Sequence, residues 1–438
     1  MYISLYIALF LRNLEFPSTS VWIDHSLMFS YNFPIWLLFF YIAGLYNLHI
    51  AINNSKFIEL SLKAILASTT FTIIFFYSYP LSNFAPKTIL VLYLVLFTLL
   101  HFAHRLLINQ RFATRTPKTN LAIIGYSPLV SEIIDETIRK PHLGYNIKFI
   151  LNTQSIILDN PAESIQIINN VYEFKDKLLK KNISEVIITQ NFRESEIIKE
   201  ILFDCLRANI NFINIAQFYE DLVGRLQLDF VDRTWFLENF NRINNNWYNT
   251  FKRIFDIIVS VLILCFTLPI WAIVAIAIKI ENTGPIFFID TRLGKNEKAF
   301  TLIKFRTMSV ANNDQSPTTS GDPRVTKLGK LLRKTRIDEI PQILNVLKGD
   351  MSMVGPRPER PKLVTKLKDV IPFYSIRMLI KPGISGWDQV SGEYHSPSKE
   401  DTLKKLQYDF YYIKNRSIYL DITILLKTIK TVLSSQGV

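Results

Sequence analysis

The chain has 438 residues and a formal net charge of +13, and 49% of its residues are hydrophobic. This hydrophobic fraction is high for a soluble protein and predicts membrane segments. The positive charge suits cytoplasmic loops, anionic lipid or an anionic substrate, and no nucleic-acid-binding motif accompanies it. Cys205 and Cys265 are too few for a disulfide framework or a cysteine-based metal site.

Residues 1–110 are predicted to form transmembrane helices. Three apolar segments, 27–48, 58–79 and 86–108, are each long enough to cross a bilayer, which needs about 20 residues. Residues 1–11 are apolar but too short to span it alone, so they fit either the end of a membrane helix or an interfacial segment. A basic cluster follows the third segment and predicts that this end faces the cytoplasm. The cluster comprises Arg105, Arg111, Arg115 and Lys118.

Residues 119–245 alternate β-rich and helical runs, a pattern typical of a parallel, doubly wound sheet. A dinucleotide-binding domain would carry G-x-G-x-x-G after the first strand, but the turn here is Gly125-Tyr126-Ser127-Pro128, with a single glycine. We therefore expect a degenerate Rossmann-like domain with a structural or regulatory role. The predicted strands are 120–125, 147–151, 165–168, 185–189 and 210–215, and the predicted helices are 128–140, 174–181 and 194–208.

Residues 254–279 form a long apolar run that Pro269 interrupts. Basic residues lie on both sides of the run, so a complete crossing would leave one basic flank on the wrong side of the membrane. Proline inside a helix also kinks it. We expect a re-entrant helix that enters the membrane, breaks near Leu268-Pro269 and returns to the cytoplasm. An ordinary fifth span is the alternative.

Residues 280–438 are basic, with short predicted helices and no long apolar segment. Two adjacent acids, Asp338 and Glu339, precede Pro341, which fits the first turn of a helix, and Gly349, which fits its end. A carboxylate kept ionised beside cations could attack phosphorus or hold a divalent metal, whereas helix capping is the simpler interpretation of the same pair. The predicted helices are 326–334, 341–348, 361–369, 399–414 and 421–433.

Several uncommon motifs follow one another in this part of the chain. They are Lys252-Arg253-Ile254-Phe255-Asp256, Gly284-Pro285-Ile286-Phe287-Phe288, Lys304-Phe305-Arg306-Thr307-Met308, Arg336-Ile337-Asp338-Glu339-Ile340-Pro341-Gln342, Val354-Gly355-Pro356-Arg357-Pro358-Glu359 and Lys381-Pro382-Gly383-Ile384-Ser385-Gly386-Trp387. Their order over residues 250–438 closely resembles the bacterial sugar transferase family, the monotopic polyprenyl-phosphate phosphoglycosyl transferases. Residues 1–245 are similar to the membrane and Rossmann-like region of the family's long members.

The resemblance implies a reaction and its location. Such enzymes move a sugar 1-phosphate from a UDP-sugar to undecaprenyl phosphate and release UMP. It implies a multi-pass protein in the lipid of the bacterial inner membrane, with a cytoplasmic catalytic domain of mixed α/β structure and a re-entrant helix at 254–279 broken at Pro269. A homodimer is plausible for long members. Many members have Ser at the position of Leu268 and a small residue at that of Asp388.

The resemblance also implies roles for the site residues. Asp338 would be the nucleophile that forms a phosphosugar–enzyme intermediate, and Glu339 would bind Mg²⁺. The donor diphosphate, the acceptor phosphate and Asp338 are all anions, so cations must offset their repulsion. Arginine suits bidentate phosphate contacts, and Arg357 lies on a stiff backbone between two prolines. The candidate phosphate-binding residues are Lys304, Arg306, Arg324, Arg336, Arg357 and Arg377.

Two other functions are compatible with parts of the sequence. A membrane-anchored nucleotide-sugar dehydratase needs a second Rossmann fold and a Tyr-x-x-x-Lys motif. Tyr248–Lys252 matches that motif, but no Gly-rich strand–turn–helix precedes it. A non-enzymatic scaffold for polysaccharide assembly would not need Asp338-Glu339 among so many cations. The sequence does not identify the sugar.

Overall fold

The computed structural model divides into two compact units, Met1–Phe218 and Tyr219–Val438. It describes the whole chain except residues 47–54, 79–86, 116–118, 153–164, 190–194, 206–209, 241–242, 244, 282, 310–321, 392–397 and 434–438.

The first unit begins with five helices. Two of them contain apolar stretches long enough to cross a membrane, Phe57–Tyr77 and Lys87–Ile108, as the sequence predicts. The predicted span 27–48 is instead split, because Pro34 lacks an N–H and fits the first turn of a new helix, which begins three residues after the previous one ends. Residues 47 and 48 lie outside the described residues. The helices are α1 (Tyr2–Asn13), α2 (Thr19–Ser30), α3 (Phe33–Ile42), α4 (Ser55–Ser78) and α5 (Lys87–Arg115).

A five-stranded parallel sheet follows, with strand order β3-β2-β1-β4-β5. Apolar side chains such as Ile124, Phe149 and Val186 fill its core, so the predicted parallel α/β domain is confirmed. Its strands are β1 (Thr119–Ile124), β2 (Tyr145–Leu151), β3 (Gln166–Ile168), β4 (Glu185–Ile188) and β5 (Asn211–Asn214), and its helices are α6 (Pro128–Arg139), α7 (Val171–Lys180), α8 (Glu196–Asp204) and α9 (Ile215–Val223).

The segment 219–240 belongs to the second unit, although the sequence groups residues up to 245 with the parallel sheet. Its apolar side chains Val231, Phe236 and Phe240 are buried in the same core as Phe410. Helix α10 (Arg233–Asn239) starts at Asp232, whose side chain accepts a hydrogen bond of 2.6 Å from Trp235 N. The second unit therefore begins well before the apolar helix.

Helix α11 (Asn246–Glu281) is a single helix of 36 residues that continues through Pro269. The helix is therefore not interrupted near Leu268-Pro269, where the sequence predicts a break. Its middle is apolar and exposed, with Phe266 79% accessible. Its first half reaches the strand β8 (Ser352–Val354), since Ser260 Oγ lies 3.4 Å from Met353 Sδ. Its second half packs Val274 and Ile278 in a cluster on the same unit.

The remainder of the second unit surrounds these two halves with short elements. A β6–β7 hairpin is antiparallel, and β8 pairs with β9 in parallel. The predicted helices are present, with ends shifted by up to three residues. The elements are β6 (Phe287–Leu293), β7 (Ala299–Phe305), α12 (Lys327–Lys334), α13 (Gln342–Lys348), β8 (Ser352–Val354), α14 (Pro361–Val370), β9 (Gly383–Ser385), α15 (Trp387–Val390), α16 (Lys399–Lys414) and α17 (Ile418–Leu433).

We predict that Gly383→Ala destabilises the second unit. A Cβ at Gly383 would lie 2.0 Å from Gly355 N, on backbone that cannot move without separating β8 from β9. The overpacking should cost about 3 kcal/mol or more. Gly294→Ala is the control, because its Cβ would meet the Phe300 ring at 3.2 Å. Equal melting temperatures for the two purified variants would contradict the prediction.

Candidate active site

The acid pair lies in a short 3-10 turn, Ile337–Glu339, between α12 and α13. Arg336 adopts left-handed backbone angles with φ 53° and turns the chain out of α12. Pro341 caps α13, and Gly349 ends it with φ 99°, so the predicted helix end is confirmed. Asp338 and Glu339 thus precede the helix rather than lying within its first turn. They are buried, with only 8% and 9% of their surfaces exposed.

Glu339 is surrounded by cations from three parts of the chain. Lys304 Nζ from β7 lies 2.7 Å from Glu339 Oε1, and Arg357 Nη2 lies 3.0 Å from the same oxygen. Arg336 Nη1 is 3.7 Å from Oε2. Burial opposes ionisation of Glu339, but the charges of Arg357 and Lys304 outweigh it and hold the pKa of Glu339 well below its usual range. Glu339 is therefore a fixed anion.

Asp338 has a different environment although it is the adjacent residue. Within the described part of the chain its carboxylate has no hydrogen bond and no ion pair. Burial, and then the negative charge of Glu339, raise the pKa of Asp338 to about 6, against the opposing effects of Lys304, Arg333 and Arg357. Its oxygens are therefore uncommitted, and it ionises near neutral pH. These are the properties that a nucleophilic carboxylate needs.

The six predicted phosphate-binding residues separate into two groups. The first group forms ion pairs with Glu339 and comprises Lys304, Arg336 and Arg357. The others have further partners: Arg306 Nη1 donates to Thr283 O at 2.9 Å, and Arg324 pairs with Asp322 at 2.6 Å.

Arg377 is the clearest departure from the expectation. It is 4% exposed, and its guanidinium binds Asp409, Tyr374 and the backbone carbonyl of Arg357. These three partners engage its guanidinium donors, and within the described residues its ion pair is with Asp409 rather than with the acid pair.

Two other residues join the site without having been selected from the sequence as site residues. Arg333, in the last turn of α12, donates from Nε to Thr307 Oγ1 at 2.9 Å, and its charge favours ionisation of Asp338. Its position five residues before Asp338 is the only sequence signal for it. Asp388 is 3% exposed, and its Oδ1 has no hydrogen-bond partner within the described residues.

The residues of the site fit a Mg²⁺ ion that takes few of its ligands from the protein. The described residues contain no cluster of three or more acidic, histidine or cysteine side chains that could hold a metal. Mg²⁺ usually needs only one or two carboxylates when phosphates complete its coordination. Among the described residues, Arg336 is the cation paired with Glu339 Oε2, at 3.7 Å. Lys304 and Arg357 both lie closer to the other oxygen, Oε1. Oε2 is therefore the oxygen that fits a metal.

Comparison with known proteins identifies the family. Residues 247–435 match the profile described as bacterial sugar transferase. A UDP-glucose:undecaprenyl-phosphate glucose-1-phosphate transferase of Klebsiella pneumoniae is 30% identical over 71% of this chain and 67% of its own length. The chain belongs to the bacterial sugar transferase family.

Other relatives of this chain differ in length and in the sugar that their names give. A UDP-N-acetylgalactosamine-undecaprenyl-phosphate N-acetylgalactosaminephosphotransferase of Aeromonas hydrophila is 40% identical over 242 residues, which are 55% of this chain and 56% of the relative. The match thus spans little more than half of that relative. An uncharacterized sugar transferase of Bacillus subtilis, EpsL, is 40% identical over 43% of this chain and 89% of its own length.

The rate of turnover should fall in acid with a midpoint near pH 6, where Asp338 titrates. The sign follows from the predicted role of Asp338: a nucleophile must be deprotonated, so activity should be lost as the pH falls through the raised pKa. At one pH unit below that pKa about a tenth of the sites would be ionised. The measurement is kcat/KM for UMP release against pH in lipid nanodiscs. A flat profile between pH 5 and 8 would contradict it.

Proposed function

We propose that this protein transfers a sugar 1-phosphate from a UDP-sugar to undecaprenyl phosphate and releases UMP. This reaction is the first membrane step in assembling a surface polysaccharide or glycoconjugate. One observation carries the proposal: Glu339 forms ion pairs with three cations, while the adjacent carboxylate of Asp338 has no such partner among the described residues and has a raised pKa. The names of the relatives support the substrate class, and because they differ in the sugar, the proposal does not include its identity.

The proposed chemistry has two displacement steps. An Asp338 oxygen attacks the phosphorus that carries the sugar, the P–O bond to the uridine-bearing phosphate breaks, and UMP leaves with the electron pair. A phosphate oxygen of undecaprenyl phosphate then attacks the same phosphorus. The bond to Asp338 breaks, and its carboxylate is regenerated. No net proton or electron is needed from elsewhere.

The residues around Asp338 supply positioning and charge. Lys304 and Arg357 hold Glu339 and place positive charge where both phosphates must approach Asp338. Arg333, through Thr307, adds a cation on the α12 side. Mg²⁺, when bound through Glu339, would neutralise phosphate charge and favour departure of UMP.

We also propose that α11 is re-entrant and that the second unit, Tyr219–Val438, is the catalytic unit and faces the cytoplasm at the inner membrane. The contacts of the helix support this arrangement. Arg253 near its start donates to Val346 O at 2.5 Å, while Val274 and Ile278 near its end pack with Phe305. Both flanks thus contact the second unit, and exposed apolar side chains such as Phe266 in the middle of the helix are available to lipid. For the first unit we propose a degenerate Rossmann-like domain, and the homodimer stays a prediction.

The dehydratase alternative loses its one sequence feature. Tyr248 Oη donates to Asp421 Oδ2 at 2.8 Å, and Lys252 Nζ donates to the same oxygen at 2.9 Å. Both side chains therefore anchor α11 to α17. The described residues contain one parallel sheet with more than two strands, not the two that such an enzyme would need.

Asp338→Asn should abolish UMP release from UDP-sugar in membranes that contain undecaprenyl phosphate, because an amide cannot act as the nucleophile. The matched control is Asp369→Asn, an exposed acid in α14, which should retain activity. Mass spectrometry of the wild-type protein, quenched with UDP-sugar and no acceptor, should find a phosphosugar on Asp338. Undiminished turnover in Asp338→Asn would disprove the assignment.

Cysteine labelling tests the topology of α11. Trp247→Cys and Ile280→Cys, in a chain with Cys205 and Cys265 replaced by alanine, put one thiol at each exposed end of the helix. A re-entrant helix exposes both to a membrane-impermeant maleimide from the same side as Lys366→Cys in the catalytic unit. Labelling of the two ends from opposite sides of the vesicle would show a complete span instead.

A further inference from the structure

The loop Pro356–Glu359, which carries Arg357 to the acid pair, has every backbone carbonyl bound. Pro356 O accepts from Gly383 N at 3.0 Å, and Glu359 O accepts from Leu293 N at 3.0 Å. Pro358 O accepts from Arg292 Nη1 at 3.1 Å, and Arg357 O accepts from Arg377 Nη2 at 3.0 Å. Two prolines restrict φ in the same loop. The structure therefore holds this backbone in one position.

The bond at Arg357 comes from the more deeply buried of two charge pairs. Arg292, the donor to Pro358 O, pairs with Asp290, but their side chains are 20% and 17% exposed, against 3% and 2% for Arg377 and Asp409. Arg377 Nε lies 2.7 Å from Asp409 Oδ2, and Arg377 Nη1 donates to Tyr374 Oη at 3.0 Å. Asp409 is 1% exposed. The three donors used by Arg377 leave in different directions, and a planar guanidinium can satisfy them together where an ammonium could not.

Helix α16 contacts the loop at a second point. Lys405, one turn before Asp409, lies 2.5 Å from Glu359 Oε1. Helix α16 thus holds the loop at two points, at the carbonyl of residue 357 through Arg377 and at the side chain of residue 359 directly. The guanidinium of Arg357 then reaches Glu339 Oε1 at 3.0 Å.

We infer that Arg377 and Asp409 are positioning residues that set the position of Arg357, and through it the acid pair, without touching substrate. The inference rests on the proposed function for its kinetic consequences, but the geometry stands apart from it. It gives Arg377 a role through its contacts with Asp409, Tyr374 and Arg357 O, in place of the predicted phosphate contact. It also assigns a role to Asp409, which no motif marks.

The primary test compares Asp409→Asn with a matched control on the same helix. Asp409→Asn keeps the shape and a hydrogen-bond acceptor but removes the charge that orients Arg377. Glu220→Gln removes a carboxylate that is also buried and also paired with α16, at 2.6 Å from Lys414, away from the loop. Hydrogen–deuterium exchange of the full chain in nanodiscs should rise over residues 354–360 in Asp409→Asn alone. Equal exchange in both variants would overturn the inference, and this readout requires no catalysis.

The kinetic test is a double-mutant cycle with Arg357→Ala. A misplaced Arg357 should lower kcat for UMP release at least about 10-fold, with KM for UDP-sugar changed less than about 3-fold, since small displacements at a reacting centre can cost about 100-fold. Glu220→Gln should stay near the wild type. If Asp409 acts through Arg357, adding Asp409→Asn to Arg357→Ala should cost less than about 2-fold more. Losses that multiply in the double variant would refute the positioning role.

Arg377→Lys provides a third arm. Lysine keeps the charge next to Asp409 but cannot donate to Asp409, Tyr374 and Arg357 O at once. We expect the exchange and kcat of Arg377→Lys to resemble those of Asp409→Asn. Wild-type kinetics and exchange in Arg377→Lys would show that charge alone suffices and would overturn the positional role of the guanidinium.

Discussion

The buried carboxylate of Glu339 is the constraint on which the second unit depends. An ion taken out of water costs several kcal/mol unless opposite charge and hydrogen bonds replace the solvent. Here the replacements come from residues 304, 336 and 357, which lie on a hairpin strand, a left-handed turn and a loop after β8. Three separate parts of the chain must therefore be in place together before the anion is stable.

The same constraint determines the behaviour of the neighbouring acid. Glu339 takes the closest cations, so Asp338 is left with burial and a like charge beside it, and its pKa rises to about 6. Two identical functional groups, adjacent in sequence, thus acquire different properties because only one is paired. This division of roles, one acid held and the other available, follows from geometry rather than from any difference in the side chains' intrinsic chemistry.

The membrane helix is tied to this arrangement through its first turns. Arg253 donates to Val346 O and Leu347 O at the end of α13, where a cation is favoured by the helix dipole. Asp256 Oδ1 accepts from Met353 N in β8. The two attachments lead in opposite directions along the chain, to the acid pair before α13 and to the Arg357 loop after β8. A shift of α11 would therefore move both the end of α13 and β8, which lie on either side of the residues that contact Glu339.

Particular residues show what the sequence can and cannot predict here. The parallel sheet and the grouping of Lys304, Arg336 and Arg357 with the acids follow from strand–helix alternation and from motif order. The role of Arg377 does not, because its partner Asp409 lies 32 positions away in a helix with no motif. The sequence does place the acids before the helix at 341–348, but the left-handed turn at Arg336 leaves no local signal, because an arginine has no preference for positive φ.

The start of the second unit at Tyr219 also depends on contacts between residues far apart in the sequence, so local patterns do not predict it. Trp387 Nε1 donates to Gly224 O at 2.7 Å, and Glu220 pairs with Lys414 on α16. Because Val231, Phe236 and Phe240 are apolar whichever core they join, periodicity could not assign them to it. Residues 219–240 precede the family match at 247, yet Leu226 N donates to Gln407 O in α16 and the Phe236 ring packs against Phe410. Helix α16 thus contacts residues 219–240 as well as the Arg357 loop, and the second unit begins before the residues that the family profile matches.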